Sequence, residues 1–419
     1  MIKRIIETIN QFRDRGGYHI FLSTLISQIT QVILVVFIVR LLSPSEYGEI
    51  VFIQSYIAVF MPFSGFGLNY SLLRFGSIEN TLESKRSIYL ICYKYGILFS
   101  IILYVLINVI GYFFDFEIVT NYLYVSIFAL LIISNYMKEI AQSYLRINNN
   151  NVEFAYSNII YSIILLVITV LGTYVGGAYG FIISRVAIPV LIFTLIAKKQ
   201  KLFRMDKISQ SINIKEYSNY GIFIGLGSIA SQLMYQIDNL LLGVMGVGAS
   251  IIAEYKIATI IPFAVLFIPS VFMTTDFVMI AQKYDNKEFL LEYRNKMMKL
   301  LFAISFLGTI ISFIFSRLIL EYLYGANYAD SSKIMNILMI GIISSFALRA
   351  PNGNILSAVG KSKWNAILAY STVGFNVILN YFLIKAYGHY GAAIATSIVM
   401  WGTGIMSYLL FNKYIKEIS

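Results

Sequence analysis

The stretch RLLSPSEYGEIVFIQSYIAVFMPFSGFGLNYSLLR, residues 40–74, joins a polar turn to a long apolar segment. A Ser-Pro turn, an acidic and aromatic start, a mostly apolar run and a terminal arginine follow in that order. A helix of about 20 residues crosses the roughly 30 Å of hydrocarbon in a bilayer. The stretch therefore predicts a turn followed by a membrane-spanning helix, and a looser copy near 245–280 predicts that this arrangement is repeated.

The composition indicates that lipid solvates most of the surface. Hydrophobic residues make up 58% of the 419 residues, charged residues 13%, and the mean hydropathy is +0.75. A soluble domain averages about 25% charged residues, so this chain has too little polar surface for a water-facing globule. The single cysteine, Cys92, excludes an intramolecular disulfide, and His19 and His389 lack companions at ligand spacing, so we expect no metal site.

Twelve segments are long and apolar enough to cross a bilayer as helices. No alternating strands of about ten residues indicate a barrel, and lipid requires every backbone polar group to be paired internally. We therefore predict an all-α integral membrane protein with spans at 18–41, 47–73, 87–113, 119–145, 153–174, 178–197, 217–245, 251–280, 297–319, 330–356, 364–386 and 391–413.

The basic residues alternate between the two sides of these spans. With a cytoplasmic N-terminus, 25 of the 32 lysines and arginines fall on the cytoplasmic side, 5 on the other and 2 inside helices. This asymmetry follows the positive-inside rule and predicts that both termini are cytoplasmic. The net charge of +11 is then an orientation signal, and nucleic-acid binding is not expected.

The two halves of the chain resemble each other. Glu46-Tyr47 matches Glu254-Tyr255, and Tyr179-Gly180 matches Tyr390-Gly391 at a nearly constant offset. We predict an N-terminal six-helix bundle over 1–197, a basic cytoplasmic linker over 198–216 and a C-terminal six-helix bundle over 217–419. Two copies with an even number of helices share one orientation, which is the parallel-repeat plan of several transporters with the substrate site between the halves.

Prolines interrupt corresponding predicted helices in the two halves. Pro62 lies in the second span, and Pro262 and Pro269 lie in the eighth. Proline removes an intrahelical hydrogen bond and kinks the helix, and interrupted helices at matching places are typical of transport cavities. The alternative is that membrane helices simply carry more proline and glycine.

Five basic residues are candidates for binding an anionic substrate. Lys94, Arg185 and Arg349 lie inside predicted spans, where ionisable groups are costly and usually face a cavity or a partner. Arg40 and Arg74 close the first two spans, where an arginine can equally reach the headgroups. Arginine binds phosphate in a bidentate fork, so these residues predict a cationic cavity.

Asp238 is the candidate for ion coupling. It lies in the seventh span, within SQLMYQIDNLLLGVMG, where a buried carboxylate could carry a coupling proton or sodium ion. The alternative is a hydrogen bond to Gln232, to Asn239 or to a neighbouring helix. No phosphate-binding loop, catalytic triad or exposed pair of carboxylates is visible, so we expect neither catalytic residues nor an enzyme.

Several motifs of the chain resemble those of the bacterial polysaccharide-repeat-unit flippases, which export O-antigen and capsule units. The matching motifs are VRLLSPSEYGEIVFIQS, FSGFGLNYSLLRF, QIDNLLLG, IAEYKIATIIPF and GKSKWNA. The chain departs from the pattern at MGVGASIIAEYK, where no proline follows the seventh span. This family belongs to a superfamily that includes multidrug and toxin extrusion transporters and the lipid II flippase.

The resemblance implies a V-shaped pair of six-helix bundles around a cavity that opens alternately to the two sides of the bacterial inner membrane. Its implied substrate is an undecaprenyl-diphosphate-linked oligosaccharide, moved at the expense of an ion gradient without a cofactor. Other membrane proteins of polysaccharide assembly are possible partners. The rival interpretations are a drug/cation antiporter of the same fold, which predicts an acidic cavity, and a membrane polysaccharide polymerase or ligase, which predicts a large outer loop.

Overall fold

The computed structural model describes residues 17–114, 116–203 and 214–418, and these residues form helices and turns without a β-strand. The first half contains α1 (Gly17–Leu41), α2 (Pro44–Phe60), a 3₁₀ segment (Met61–Gly67), α3 (Leu68–Gly76), α4 (Leu82–Phe114), α5 (Tyr122–Ala129), α6 (Leu131–Ile147) and α7 (Asn151–Gln200). The second half contains α8 (Ile214–Val244), α9 (Ala249–Val265), α10 (Phe267–Gln282), α11 (Lys287–Tyr324), a 3₁₀ segment (Ala326–Ser331), α12 (Ser332–Ser344), a π-helical segment (Ser345–Arg349), α13 (Ala350–Ala358), α14 (Ser362–Tyr387) and α15 (His389–Glu417).

The helices are long and apolar enough to span a bilayer. Ten stretches within the described residues meet the length and hydropathy of a membrane span. In α4, α11 and α14 only 22% of the most apolar window is buried inside the protein. Apolar side chains left outside to this extent need lipid as their solvent. The predicted all-α multi-pass membrane protein is thereby confirmed.

Each predicted span falls on one helix or on consecutive helical segments. The 50 residues of α7 form two helical arms that meet at Gly177, where the backbone is not helical, with φ 53° and ψ −135°. Glycine populates this region without the steric cost that a side chain would add. The fifth and sixth predicted spans are therefore the two arms of α7, and α8 covers the seventh.

The structure divides into two compact units. The first comprises residues up to Ser43 and Ile53–Gln232, and the second comprises Pro44–Phe52 and the chain from Leu233 onward. Helices α2 and α8 each contribute residues to both units. The predicted division at 197 and 217 stays a prediction. The basic residues of the tail, most of the predicted linker and the side chain of Gln232 lie outside the described residues.

One turn recurs in both units with the same backbone conformation. Gly388, 211 residues after Gly177, has φ 59° and ψ −140°. Three residues further on, a β-carbon added to Gly180 would lie 1.8 Å from a carbonyl oxygen of the preceding arm, and at Gly391 the distance is 1.9 Å. Only glycine allows the helices to approach this closely. The sequence offset of 211 is therefore also an offset between equivalent structures.

Candidate substrate and ion sites

The second span is interrupted in its middle. After Pro62, residues Ser64, Gly65 and Phe66 leave the helical conformation, and φ is positive at Gly65, Phe66 and Gly67. A β-carbon on Gly65 would lie 2.0 Å from the ring of Tyr136, so a side chain there has no space. Both the backbone conformation and the neighbouring Tyr136 ring therefore require glycine at position 65, and α3 begins directly after the interruption.

The first unit pairs the polar groups at this interruption. The Ser64 hydroxyl donates to the Ile132 carbonyl at 2.9 Å, and the Gly65 N–H donates to Ser100 Oγ at 3.0 Å. Backbone that is not helical is tolerated at membrane depth only when protein or a water-filled cavity satisfies it. In the eighth span, Pro262 lies inside α9 and Pro269 lies in the first turn of α10, and the two helices meet at Leu266.

The described contacts do not gather the four basic candidates of the first unit into one cluster. Arg40 and Lys94 are exposed, and Arg185 is half-buried with its guanidinium 5.8 Å from the centre of the Phe181 ring. Arg74 is exposed, with its guanidinium 5.1 Å from the centre of the Tyr220 ring. Their role in binding an anion stays a prediction.

Arg349 is held inside the second unit by neutral groups. It ends the π-helical segment, and Nη1 donates to Asn365 Oδ1 at 2.9 Å and to Ser407 Oγ at 3.4 Å. A β-carbon on Gly353 would lie 2.2 Å from Nη1, so this glycine makes room for the guanidinium. Arg349 takes part in none of the ion pairs described in this unit. The role of Arg349 in binding an anion stays a prediction.

Arg294 is a buried arginine that sequence reasoning assigned to the cytoplasmic side. It is 7% exposed, and its guanidinium lies 5.1 Å and 4.9 Å from the ring centres of Tyr408 and Phe411. Nη1 donates to Asn412 Oδ1 at 2.6 Å. The sequence signal was obscured because α11 begins at Lys287, ten residues before the predicted span, so this arginine turns inward on a helix.

Asp238 lies at the centre of a polar cluster in the second unit. It is 3% exposed on α8 and accepts hydrogen bonds from Tyr255 on α9 at 2.5 Å and Thr396 on α15 at 2.7 Å, both to Oδ2. Oδ1 accepts from Asn380 Nδ2 on α14 at 3.0 Å, and the same amide donates to Asn376 Oδ1 at 2.7 Å. A hydrogen-bonded carboxylate shared by four helices was the neighbouring-helix alternative, and it also collects the oxygen atoms that a cation requires.

Several polar atoms of this cluster remain without a partner. Asn380 Oδ1 and Asn376 Nδ2 are buried and make no described hydrogen bond. The same holds for Oδ1 of Asn239, the residue that follows Asp238 in the sequence. A buried unsatisfied polar atom costs about 1–3 kcal/mol. Such atoms next to a buried carboxylate favour a small polar ligand.

The first unit contains a carboxylate bonded by two asparagine side chains, which sequence reasoning missed. Glu139 on α6 accepts from Asn135 Nδ2 at 2.6 Å and from Asn69 Nδ2 at 3.1 Å, while Asn69 Oδ1 is buried without a partner. The adjacent Lys138 places its ammonium 4.2 Å from the centre of the Tyr161 ring. Both charges lie near the end of a predicted span, where ionisable side chains can reach the headgroups. The available signal was a polar stripe on α6 at the helical spacing of positions 135, 139 and 142.

Comparison with known proteins adds a family and a fold. The model of a family described as "Polysaccharide biosynthesis protein" matches residues 37–333. A Shigella flexneri protein named "Putative O-antigen transporter" is 30% identical over 180 residues, which are 43% of this chain and 42% of that protein. The match therefore spans less than half of the length of this relative.

Two solved structures share the architecture across nearly the whole chain. An inward-facing multidrug resistance transporter of the MATE family in the MOP superfamily gives a TM-score of 0.70 at 13% identity, covering 94% of this chain and 95% of that one. The lipid II flippase MurJ in an inward closed conformation gives 0.69 at 18% identity, covering 96% and 89%. The predicted all-helical transporter fold is confirmed.

Proposed function

We propose that this chain, which belongs to the family of polysaccharide biosynthesis proteins, translocates an undecaprenyl-diphosphate-linked oligosaccharide repeat unit of O-antigen or capsule. It acts as a flippase of the bacterial cytoplasmic membrane by ion-coupled alternating access, with both termini cytoplasmic. The observation that carries the proposal is the family match over residues 37–333. The likeness to a relative named as an O-antigen transporter supports it.

The second unit contributes an anion-binding group suited to the diphosphate. Both described hydrogen bonds of Arg349 come from Nη1 and go to uncharged acceptors. Arginine has five N–H donors in a planar fork, which pairs with phosphate in a bidentate manner. Arg349 would therefore bind the diphosphate through Nε and Nη2 while Asn365 keeps the guanidinium oriented.

Asp238 supplies the coupling site in this proposal. A sodium ion would take oxygen ligands from the carboxylate, from Thr396 and from the asparagine side chains, and a proton would take one carboxylate oxygen. A half-turn of the Asn380 amide would present its unpartnered Oδ1 in place of Nδ2. Ion occupancy would then change the hydrogen bonds that join α8, α9, α14 and α15, which are the elements contributing to the cluster.

A drug/cation antiporter is the alternative that the MATE-like fold favours. The family match favours an anionic substrate, and Arg294 and Arg349, which take part in no described ion pair, would repel a cation. Loading of vesicles with a cationic dye distinguishes the two. The proposed flippase leaves dye efflux at the background of empty vesicles, whereas an antiporter accelerates it.

Reconstitution tests the main proposal. Purified protein is inserted into vesicles with a labelled undecaprenyl-diphosphate oligosaccharide, and the sugar's access to an external glycosidase is followed. We expect protein-dependent exchange between the leaflets. Exchange equal to that of protein-free vesicles would refute the function.

The Arg349→Gln variant tests the anion site in the same vesicles. A hydrogen bond to a charged group contributes about 1.5–3 kcal/mol, so the rate should fall about 10- to 100-fold. Arg317→Gln is the matched control, because Arg317 is an exposed arginine of the same unit, 3.8 Å from Asp330. Wild-type exchange by the Arg349 variant would remove this residue from the substrate site.

A further inference from the structure

The two arms of α7 carry a charged pair at the ends that are remote from Gly177. The chain reverses at Gly177, which brings Glu153 near the start of the helix beside Lys199 near its end. Lys199 Nζ lies 3.0 Å from Glu153 Oε1, and Gln200 Nε2 donates to Glu153 Oε2 at 2.5 Å. Because each arm is longer than the about 20 residues of a span, we expect these polar ends at the level of the lipid headgroups.

A cavity of about 310 Å³ opens between the arms below this pair. Its walls are apolar and consist mainly of Leu145, Ile160, Ile192, Leu195 and Ile196, while the charged pair, Gln200 and Tyr156 line its mouth. Ile160 and Leu195 are exposed on the lipid side, whereas Ile192 and Ile196 are buried. The cavity therefore runs from the lipid surface into the first unit, which suits an acyl chain better than a soluble ligand.

The charged pair at the mouth is easily opened. The side chains of Lys199 and Glu153 are 68% and 35% exposed, and a pair this accessible to solvent contributes at most about 1 kcal/mol. Lys199 retains further N–H donors and Glu153 retains further lone pairs. A headgroup with one positive and one negative charge can insert at little cost and pair with both.

We propose that this cavity binds phosphatidylethanolamine from the surrounding membrane. The primary ammonium donates to the Glu153 carboxylate, the phosphate accepts from Lys199, and one acyl chain occupies the apolar cavity. Phosphatidylcholine has no N–H to donate to Glu153, and phosphatidylglycerol has no cation to offset that carboxylate. The site therefore distinguishes lipids by headgroup and is separate from Arg349 and Asp238, which lie in the second unit.

Lipid titration tests this site without measuring transport. Delipidated protein is titrated with phosphatidylethanolamine, phosphatidylcholine or phosphatidylglycerol carrying identical acyl chains, and bound lipid is counted by native mass spectrometry. We expect phosphatidylethanolamine to bind about tenfold more tightly than the other two. Equal binding of all three, or the tightest binding by phosphatidylglycerol, would overturn the proposal.

Two kinds of variant separate the headgroup from the cavity. Glu153→Gln should bring the affinity for phosphatidylethanolamine down to that for phosphatidylcholine, and an unchanged preference refutes the headgroup assignment. Ile192→Phe should fill the cavity and weaken all three lipids about tenfold, and Ile160→Phe provides the same test nearer the surface. Ile163→Phe is the matched control, because Ile163 is exposed on the same helix and does not line the cavity. Unchanged lipid binding by both Ile192→Phe and Ile160→Phe would refute the acyl-chain site.

Discussion

Replacing Asp238 by asparagine removes one buried charge and keeps the size of the side chain. The new Oδ1 can still accept from Asn380, while the new amide meets the hydroxyls of Tyr255 and Thr396, which can rotate to accept. Three charge-assisted bonds of about 1.5–3 kcal/mol become neutral bonds of about 0.5–1.5 kcal/mol. The charge no longer has to be desolvated, so we expect a net loss of stability below about 3 kcal/mol.

The Asp238→Leu variant should be clearly less stable than Asp238→Asn. It leaves the donors of Tyr255, Thr396 and Asn380 buried without their acceptor, and each such group costs about 1–3 kcal/mol. The loss should reach about 3 kcal/mol or more. Thermal unfolding in detergent, monitored by size-exclusion chromatography, ranks the stability of the wild type, Asp238→Asn and Asp238→Leu.

Ion binding gives the decisive assay. If sodium binds at Asp238, a concentration of 100 times the dissociation constant stabilises the wild type by about 2.7 kcal/mol. The same salt should not stabilise Asp238→Asn, and an imposed sodium gradient should no longer accelerate its transport. If the ion is a proton, a pH gradient gives the corresponding result. Asp276→Asn is the control, because Asp276 also accepts from a tyrosine, Tyr293, at 2.8 Å.

The reasoning has two points at which it fails. Asp238→Asn that responds to the driving gradient as the wild type does would show that the ion binds elsewhere. A wild type that responds to neither gradient would refute ion coupling itself. Loss of the response in Asp276→Asn as well would show that removing any acid of this unit disturbs transport, so the assignment to Asp238 would fall.

Two further predictions concern the first unit. Gly65→Ala should destabilise it by about 2–5 kcal/mol, from a left-handed backbone and a clash with the Tyr136 ring, whereas Gly176→Ala, which meets no atom within 4 Å, should cost less than about 1 kcal/mol; equal unfolding temperatures would contradict this. Glu139→Gln should fold like the wild type, because Oε1 of the glutamine accepts from Asn135 and its amide can donate to Oδ1 of Asn69, unpartnered in the wild type, once the Asn69 amide rotates, whereas Glu139→Leu should lose about 2–6 kcal/mol from two stranded donors. Equal stability of the two Glu139 variants would show that the amides find other partners.

The spans were predictable because lipid imposes a simple rule on the sequence. A span needs about 20 apolar residues with internal backbone pairing, so hydropathy located the helices without knowledge of their contacts. Turns at Gly177 and Gly388 were also predictable, since glycine punctuates apolar runs. Pro62 indicated a kink in the second span, but the positive φ of Gly65, Phe66 and Gly67 depends on contacts with distant residues and was not readable.

The polar clusters were only partly predictable, because their members come from distant parts of the chain. Asp238 was conspicuous as an acid in an apolar run, but its partners Tyr255, Asn380 and Thr396 lie up to 158 residues away. Neutral amides and hydroxyls are frequent in membrane helices, where they hydrogen-bond to neighbouring helices, so their presence alone does not single out a site. Glu139 and Arg294 were missed for another reason, since a charge near the end of a span is normally solvated by headgroups.

The repeat also suggests why a coupling ion would bind in only one unit. At the offset of 211 that relates Gly177 to Gly388, Thr396 of the Asp238 cluster corresponds to Arg185 and Asn376 corresponds to Leu165. Asn380 corresponds to Thr169, so the first unit keeps one oxygen at these three positions and replaces the other two by a basic and an apolar side chain. A cation would be repelled at the Arg185 position, because a charge at membrane depth needs an oppositely charged or polar partner. The shared turns preserve the backbone, and the divergence of these side chains favours the second unit for the proposed coupling.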